Sequence, residues 1–408
     1  SRTGINALRN TFFTGIKKLL AGETIIYDIT NKKIKQRHRI FVKPNSNKKF
    51  NPAEFRQMAH KTVKMCSIGQ RKIGVFLSGG LDSSTIVAIS SEYTDNLRTF
   101  SFNFEGDLSE KAYAVSVAEQ YGTDHTELEE KDIRIDELLI QMQKVYDEPF
   151  ADSSNIPTYL ISKLASEHMK VILTGDGGDE IFGGYNRYLF AQKIKKIFSL
   201  YPYFLRKNIS KLFLNISPRA YDSFFKIFGK RIHTKINGDK IHKFSGILGI
   251  KDFRSIYEYL LSFNTKNEIP VNNELLKKYQ KINFDLDNNN YVEQMQLTDV
   301  NFYLPGDILT KVDRASMAHS LEIRVPFLDH RIVEFAFNLP TNLKIHQGQT
   351  KVILRNILKE KINEKFFNRP KMGFAVPLSD WLRGPLKDWA WDLISQKKID
   401  DGLIDISK

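Results

Sequence analysis

The strongest constraint on the fold is a short apolar segment that ends in a Ser-Gly-Gly turn and leads directly into a second apolar segment. Residues 73–77 are predicted to form a buried strand, and residues 85–90 to belong to a buried helix. Between them, Gly79 and Gly80 let the backbone turn tightly and bring its N–H groups toward an anion. A strand, a glycine turn and a helix N-terminus in this order are typical of a phosphate-binding site.

The side chains of the turn suit a phosphate ligand and a metal ion. Ser78, Ser83 and Ser84 add hydroxyl donors beside the backbone N–H groups. Asp82 would repel an anion unless a cation bridged the two, which indicates Mg²⁺. The turn is not a Walker loop, because the pattern Gly-x-x-x-x-Gly-Lys-Ser/Thr does not occur here. A Gly-Gly turn that only caps the helix is the alternative interpretation of this string taken alone.

A second glycine-rich string follows another predicted strand, residues 171–173. It places Asp176, Asp179 and Glu180 directly after that strand and before two apolar residues. Ligands of doubly wound sheets bind at the carboxyl ends of the parallel strands. Acids crowded at that edge repel one another unless a metal or a substrate cation lies between them. A solvated acidic loop would need neither the strand before it nor the apolar pair after it, so we predict a functional site.

The remaining pattern predicts an α/β protein with a doubly wound parallel sheet. Strands alternate with helices between residues 73 and 173, which favours parallel pairing. Asn51 and Pro52 are predicted to cap and open a helix that runs to about residue 66. We predict a further strand at 97–104, helices at 111–120 and 158–167, a large helical insertion at about 190–290, more helices to 339, and C-terminal helices within 350–391.

The first fifty residues have a different character. Residues 24–29 are β-branched and predict a strand, and a basic stretch follows at residues 32–39. Because a lone strand cannot bury its own face, we expect this piece to need a partner sheet.

Composition limits the class of protein. The chain has 408 residues and one cysteine, which excludes a disulfide framework and a zinc site built from several thiolates. We find no apolar run long enough to span a membrane and no signal-peptide pattern, so we expect a cytoplasmic protein with no membrane partner. The formal net charge of +14 favours anionic ligands: nucleic acid, a membrane surface or a phosphate-bearing substrate.

Residues 191–235 combine many lysines and arginines with Phe, Tyr and Leu. Such a segment could form a membrane-surface or RNA-binding face. The interpretation we favour is a set of amphipathic helices whose aromatic side chains form core while the lysines are solvated.

These strings, in this order, resemble the synthetase half of the glutamine-dependent asparagine synthetases and their relatives, the β-lactam synthetases. Residues 78–83 match the PP-loop, the pyrophosphate-binding loop of that family. The resemblance implies a sheet of the PP-loop ATP pyrophosphatase (adenine nucleotide α-hydrolase-like) type. Further matching strings are Thr99-Phe100-Ser101-Phe102, Asp147-Glu148-Pro149, Gly175 to Tyr185, Leu304-Pro305, Asp313 to Ala318, Glu322 to Asp329, Lys351, and Arg369 to Phe374.

The resemblance also implies cofactors and residue roles. ATP and Mg²⁺ are the expected cofactors, with Asp82 and Asp179 as metal ligands. The resemblance further implies that Asp176, which is Glu in some members, handles protons on the attacking amine. Lys371 would stabilise the charged transition states, and Lys351 resembles a second lysine that faces the substrate. The expected nucleotide contacts are Ser78, Gly79, Gly80, Ser83, Ser84 and Gly175 for the pyrophosphate, and Leu77, Ser101 and Phe102 for the adenine.

Enzymes of this family carry an N-terminal amide-hydrolysing domain with an N-terminal cysteine nucleophile. Residues 1–50 resemble the last strands of that domain, and residues 51–408 resemble the synthetase domain. The chain as given begins with Ser1, and Cys66 falls inside a predicted helix, where a structural thiol is expected. We therefore expect ammonia to come from a glutaminase domain or subunit absent here.

The expected activity is that of a ligase that forms C–N bonds: aspartate is converted to asparagine, with AMP and pyrophosphate released. An alternative is amidation of another carboxylate, such as a uronic acid of a surface polysaccharide. A PP-loop enzyme that modifies tRNA is a candidate of another class, but no RNA-binding module or zinc-binding cysteine set is visible, so no nucleic-acid partner is expected. A catalytically dead scaffold disagrees with the intact acids and Lys371. A homodimer is the expected assembly.

Overall fold

The computed structural model describes residues 9–40, 51–102, 108–128, 134–227, 237–261, 290–359, 376 and 378–394. A two-stranded antiparallel sheet precedes a five-stranded parallel sheet. The strands are β1 (Glu23–Asp28), β2 (Lys33–Arg39), β3 (Ile73–Phe76), β4 (Arg98–Phe102), β5 (Asp124–Leu128), β6 (Val171–Leu173) and β7 (Glu322–Arg324).

The order of strands in the parallel sheet is β5-β4-β3-β6-β7. The chain therefore starts at the central strand β3, builds outward through β4 and β5, and then returns to the other side of β3 to add β6 and β7. The reversal lies between β3 and β6, where Val75 is paired in register with Leu173. Crevices at such a reversal are the usual ligand sites of open α/β sheets.

Helices connect these strands and form the rest of the described chain. The first six are α1 (Pro52–Cys66), α2 (Leu81–Ser90), α3 (Leu108–Tyr121), α4 (Ile135–Tyr146), α5 (Asn155–Ser166) and α6 (Gly178–Phe182). A helical region follows with α7 (Asn186–Leu200), α8 (Tyr203–Leu214), α9 (Pro218–Ile227), α10 (Gly238–Leu248) and α11 (Phe253–Leu261).

The second half of the described chain contains α12 (Tyr291–Thr298), a π-helix (Asp299–Ile308), α13 (Leu309–Met317), a 3₁₀ turn (Pro326–Leu328), α14 (His330–Phe337), α15 (Thr341–Lys344), α16 (Val352–Lys359), α17 (Leu378–Arg383) and α18 (Lys387–Leu393).

The predicted parallel α/β sheet is confirmed, and its two edge strands were missed. The helix predicted from Asn51 begins as expected, because the Asn51 side chain accepts a hydrogen bond of 3.0 Å from the N–H of Ala53. The sequence Asp-His-Thr-Glu-Leu of β5 is too polar to stand out as a strand, and β7 has only three residues. Both lie at sheet edges, where charged side chains are usual. The prediction of helix throughout residues 291–339 is therefore wrong at β7.

Apolar side chains cover both faces of the parallel sheet. Val75, Leu77 and Leu173 belong to one buried cluster, which includes α1, α2 and α14. Phe100 and Ile172 point into a second cluster with α4 and α5. Neighbouring residues 172 and 173 thus face opposite sides, as the pleat of a strand requires. The carboxyl edge of the sheet is left to polar residues.

The N-terminal segment forms its own hairpin. The strand predicted at residues 24–29 pairs with the basic stretch, which forms the second strand, and the described residues contain no further sheet that covers the hairpin. Ile26 is 47% exposed and Ile34 is 46% exposed. The hairpin buries little apolar surface by itself, and that agrees with the marginal stability of isolated two-stranded sheets.

The helical region at residues 186–261 contributes to two small apolar clusters, one of which it shares with α12 and Ile345. The prediction that the aromatic residues of segment 191–235 form core is correct for Tyr221, which is 8% exposed, but wrong for Phe204 and Phe224, which are 67% and 55% exposed. Among the described residues, no helix has both the length and the apolar character needed to cross a membrane.

Candidate functional site

The two glycine-rich strings meet at the carboxyl edge of the sheet. β3 and β6 are adjacent and parallel, so the segments that follow them leave from the same edge. Asp82 lies in the first turn of α2 and Asp179 in the first turn of the short helix α6. The sheet order therefore places these two acids after adjacent strands.

Glycines allow this close approach. Gly79 has φ +69°, and a Cβ there would lie 2.7 Å from the backbone N of Ala114. A Cβ on Gly175 would lie 2.7 Å from Cβ of Asp82. Contacts below 3 Å cannot be accommodated without moving the backbone, so a side chain at Gly79 would displace α3 from the loop, and one at Gly175 would push the two loops apart.

Lys351 lies between the two carboxylates. Its Nζ contacts Oδ2 of Asp82 and lies 2.7 Å from Oδ1 of Asp179. Lys351 is only 5% exposed and has φ +54°, a backbone conformation that non-glycine residues rarely adopt. A Cβ on Gly184 would lie 1.9 Å from Oδ1 of Asp179 and 2.1 Å from Cε of Lys351. The strained backbone of Lys351 and the lack of a side chain at Gly184 thus both allow the contact between Lys351 and Asp179.

The charges explain the position of the ammonium group. Burial alone would lower the pKa of Lys351, but the nearby Asp179 and Asp82 outweigh that effect and raise the pKa above its ordinary value. Lys351 is therefore charged throughout the neutral range, and it balances part of the repulsion between the two acids.

The predicted phosphate loop forms a compact hydroxyl network. Ser78 Oγ and Ser83 Oγ are 3.1 Å apart, and the N–H of Gly80 donates to Ser78 Oγ at 3.3 Å. Ser83 Oγ also donates to the carbonyl oxygen of Gly80 at 3.2 Å. Ser84 differs from its neighbours: it is buried, 1% exposed, and is not among the residues that line the adjacent cavity.

A cavity of about 880 Å³ opens beside this loop. It brings together most of the predicted site residues, whereas Ser84 lies outside the lining and Lys371 lies outside the described residues. The Ser101 hydroxyl in its wall is 3.2 Å from Nε2 of His125 on the edge strand. The predicted residues in the lining are Leu77, Ser78, Gly79, Gly80, Asp82, Ser83, Ser101, Phe102, Gly175, Asp176, Asp179 and Lys351.

Asp176 lies in the same lining, three residues before Asp179. The hydroxyl of Thr174 donates to its Oδ2 at 2.8 Å. This bond fixes the orientation of the carboxylate while the side chain stays partly accessible. A carboxylate held in this way can accept a proton from a group bound in the cavity.

A second polar group in the cavity was not predicted from the sequence. Lys311 Nζ lies 3.0 Å from Oδ2 of Asp152 and donates to Ser154 Oγ at 2.8 Å. Arg187 also lines the cavity, with its guanidinium 3.8 Å from the ring centre of Tyr185. These residues come from α7, α13 and the turn before α5, so no spacing in the sequence relates them. Each of the three charged residues lies two or three residues from a family string (residues 147–149, 175–185 and 313–318), which was the available signal.

Two buried carboxyl groups near this second polar group have pKa values above the ordinary range. Burial, followed by the nearby charge of Asp179, raises the pKa of Glu180 to about 8, although Tyr185 donates a hydrogen bond of 2.8 Å to its Oε1. Burial, followed by the charge of Asp152, raises the pKa of Asp307 to about 7. Strongly shifted carboxyls in and beside a cavity are typical of functional sites.

The donor set fits a magnesium ion that is shared with a phosphate ligand. Mg²⁺ is usually held by one or two carboxylates together with substrate phosphates. Asp82 and Asp179 offer two oxygen donors that already face one cationic group. Within the described ranges, no cluster of three or more His, Cys, Asp or Glu residues could hold a metal. Cys66 is half-buried, and burial raises the pKa of its thiol, which favours a structural thiol over a nucleophile.

Comparison with known proteins agrees with the site. Residues 54–407 match the family model described as asparagine synthase, so the chain belongs to the asparagine synthase family. It is 31% identical over 355 residues to asparagine synthetase [glutamine-hydrolyzing] 1 of Bacillus subtilis, covering 85% of this chain and 53% of that protein. A putative asparagine synthetase [glutamine-hydrolyzing] of Mycobacterium bovis is 32% identical over 345 residues, covering 82% and 49%.

The chain also has two more distant similarities. The protein named amidase chry2 of Gibberella zeae is 25% identical over 374 residues, covering 82% of this chain and 53% of that protein. Among solved structures, NMN synthetase from Francisella tularensis covers 34% of this chain and 60% of its own, with 11% identity and a TM-score of 0.25. The chain spans about half the length of the curated relatives it matches.

Removing the shared ammonium should destabilise the fold. We expect Lys351→Met to lower the free energy of unfolding by about 2–4 kcal/mol, because two partly buried carboxylates lose their common partner. Lys35→Met is the matched control: Lys35 Nζ lies 3.1 Å from Asp28 Oδ2, but its side chain is 58% exposed. That change should cost less than about 1 kcal/mol. Equal losses in urea unfolding would contradict the charge-balancing role of Lys351.

Asp307 should make stability depend on pH. Between pH ~4 and ~7 the folded chain keeps a proton on Asp307 that the unfolded chain has lost, so stability falls as pH rises through this window. We expect Asp307→Asn to reduce that fall by about 1–3 kcal/mol, because the amide cannot ionise. Urea unfolding below and above the window measures the difference. Asp95→Asn, at an exposed position, is the control and should leave the pH profile unchanged.

Proposed function

We propose that this protein catalyses the ATP-dependent amidation of a carboxylate through an acyl-adenylate, with aspartate converted to asparagine. The observation that carries the proposal is the meeting of Asp82, Asp179 and Lys351 at the edge of a cavity that also contains the serine- and glycine-rich loop. Membership of the asparagine synthase family supports it. We also propose that the parallel sheet is of the PP-loop ATP pyrophosphatase type.

In the first step, an oxygen of the acceptor carboxylate attacks the α-phosphorus of ATP, and pyrophosphate leaves with the electrons of the broken P–O bond. The chain would bind the departing pyrophosphate through loop N–H groups and the hydroxyls of Ser78 and Ser83. Leu77, Ser101 and Phe102 would surround the adenine. Lys351 is close enough to the loop to contribute positive charge where the phosphates bind.

Asp82 and Asp179 would hold Mg²⁺, which when bound neutralises phosphate charge during the transfer. The two acids also share the ammonium group of Lys351. A phosphate ligand that binds together with Mg²⁺ would therefore offer a cation to the two carboxylates and an anion to the ammonium group of Lys351.

In the second step, ammonia attacks the acyl carbon, the bond to the phosphate oxygen breaks, and AMP leaves. The nitrogen must lose a proton as the amide forms. Asp176, oriented by Thr174, is the group we assign to accept it. The shifted carboxyl of Glu180 lies in the same lining and is the second candidate for proton handling.

The acceptor would bind beside the second polar group. Lys311 and Arg187 can face an acidic substrate, and the carboxylate of Asp152 can face an amino group, so an amino acid with a side-chain carboxylate suits this part of the cavity. Another carboxylate, such as a uronic acid of a surface polysaccharide, remains the alternative acceptor. The name amidase chry2 shows that proteins similar to this chain are not all called asparagine synthetases.

We further propose that residues 1–50 belong to the end of an amide-hydrolysing domain and residues 51–408 to the synthetase domain. The family match, which begins at residue 54, supports this boundary. Ammonia would then be supplied by a glutaminase domain or subunit.

A pyrophosphate-release screen tests the reaction. With ATP, Mg²⁺ and ammonium, we expect aspartate to give pyrophosphate, AMP and asparagine in equal amounts. Asp82→Asn should weaken Mg·ATP binding by roughly tenfold or more in calorimetry, because one of two metal ligands is lost. Asp95→Asn should bind normally. Turnover with a uronic acid but not with aspartate would select the alternative acceptor, and cleavage of ATP to ADP and phosphate would contradict adenylation.

Lys371 offers a separate test of the chemistry, based on the resemblance. Its ammonium would face charge that develops as pyrophosphate departs, so it should lower the barrier more than it strengthens ATP binding. We expect Lys371→Ala to reduce acceptor-dependent pyrophosphate release by roughly 10²–10³ while ATP affinity changes little. Lys371→Arg should restore little, because the guanidinium presents its donors differently. Lys359→Ala, at an exposed position, is the control, and undiminished turnover of the Lys371→Ala variant would remove this lysine from the mechanism.

A further inference from the structure

Helix α8 is amphipathic, but it exposes an apolar stripe and buries polar side chains, whereas a surface helix normally does the reverse. Phe204, Asn208 and Leu212 recur every four residues and form one stripe along the helix. Phe204 is 67% exposed and Leu212 is 65% exposed, and the neighbouring Leu205 is 38% exposed. A surface helix ordinarily turns such side chains toward the core.

The opposite stripe of α8 is polar and buried. Arg206 and Ser210 are 5% and 4% exposed. Arg206 Nη1 donates to the carbonyl oxygens of Leu248 and Ile250, each at 3.1 Å, and its guanidinium lies 3.4 Å from the ring centre of Phe198. These bonds hold the helix in one rotation about its axis. The apolar stripe is therefore held outward by specific contacts, and the helix cannot roll to bury it without leaving the Arg206 charge unsatisfied.

Basic residues surround the apolar stripe. Between residues 186 and 221 the chain carries eight Lys and Arg and no Asp or Glu. Lys207 and Lys211 lie on α8 itself and are exposed, and so are the three lysines of α7 and Arg219. Exposed aromatic and leucine side chains next to a segment that carries only positive charge match a ligand surface that is negatively charged outside and apolar beneath.

An apolar cavity of about 400 Å³ lies at the flank of the stripe, between α8 and α10. Ile209, Phe213, Phe244 and Leu248 form most of its wall, and Lys240 stands at its edge. The cavity therefore adds apolar surface beside α8.

We propose that α8 lies flat on an anionic lipid bilayer, with Phe204, Leu205 and Leu212 inserted at the boundary between headgroups and acyl chains. Helices with an apolar face and a lysine-rich border bind in this way. Lys207 and Lys211 then face the lipid phosphates, which attract juxtamembrane cations. The inference is independent of the proposed amidation, and it replaces the expectation, based on the lack of a spanning segment, that the protein has no membrane partner.

Other partners suit the surface less well. A nucleic-acid backbone would match the lysines but would leave the Phe204 and Leu212 side chains without an apolar partner. A second copy of this chain would bring the same cluster of cations against itself, because a two-fold contact repeats one patch on both subunits.

Vesicle binding tests the proposal with the full chain. We expect cosedimentation with vesicles of phosphatidylcholine and phosphatidylglycerol in equal parts, and little with phosphatidylcholine alone. The double variant Phe204→Ser/Leu212→Ser should bind the anionic vesicles roughly tenfold or more weakly, because both inserted side chains are lost. The matched control Phe12→Ser/Ile29→Ser changes residues that are 62% and 83% exposed on the N-terminal segment, and should bind like the parent.

Two further measurements complete the test. Lys207→Gln/Lys211→Gln should weaken anionic binding and reduce its dependence on salt. Phe204→Trp should add emission that shifts to the blue with anionic vesicles and is quenched by brominated lipid, which reports insertion even if the serine variant folds poorly. Equal binding by the serine variant and the parent, or unshifted Phe204→Trp emission, would overturn the proposal. So would a dimer in light scattering that Phe204→Ser/Leu212→Ser abolishes, since the stripe would then join two copies.

Discussion

The arrangement of the site follows from the need to offset the repulsion between two carboxylates that the fold brings close together. Asp82 and Asp179 follow adjacent parallel strands and share one ammonium, that of Lys351. In a partly buried setting such like charges cost several kcal/mol if left alone. The compensating lysine reaches them from the start of α16, with an unusual backbone conformation and a glycine opposite it, so several distant parts of the chain are fixed by one electrostatic requirement.

The topology of the sheet explains why this requirement arises. The chain begins the parallel sheet at its centre and reverses direction between β3 and β6, which opens a crevice at their carboxyl ends. Both glycine-rich loops enter that crevice, and the helices packed on the two faces hold the strands rigidly below it. The buried apolar side chains on both faces thus keep the sheet rigid. The polar residues at its carboxyl edge are not needed for core packing and can bind ligands.

Helix α8, in the helical region, differs from the helices that cover the sheet in the kind of side chain that it buries. In α8 the buried stripe makes polar contacts, through Arg206 and backbone carbonyl groups, and the outer stripe is apolar. Sequence periodicity reported that α8 has two faces but not which face turns inward. We had assigned the aromatic residues to the core, and for Phe204 the tertiary contacts of Arg206 decide otherwise.

The sequence by itself determined the parallel sheet, the helix that begins after Asn51, the family, and the two acidic loops, because these rest on local patterns of a few residues. It did not reveal β5 and β7, whose short polar edge segments carry no strong strand pattern. Only the tertiary structure brought Lys351 between Asp82 and Asp179 and gathered Asp152, Arg187 and Lys311 around one cavity. The physical reason is that charge pairing and cavity walls depend on distances between residues far apart in the chain, and side-chain spacing along the chain does not encode those distances.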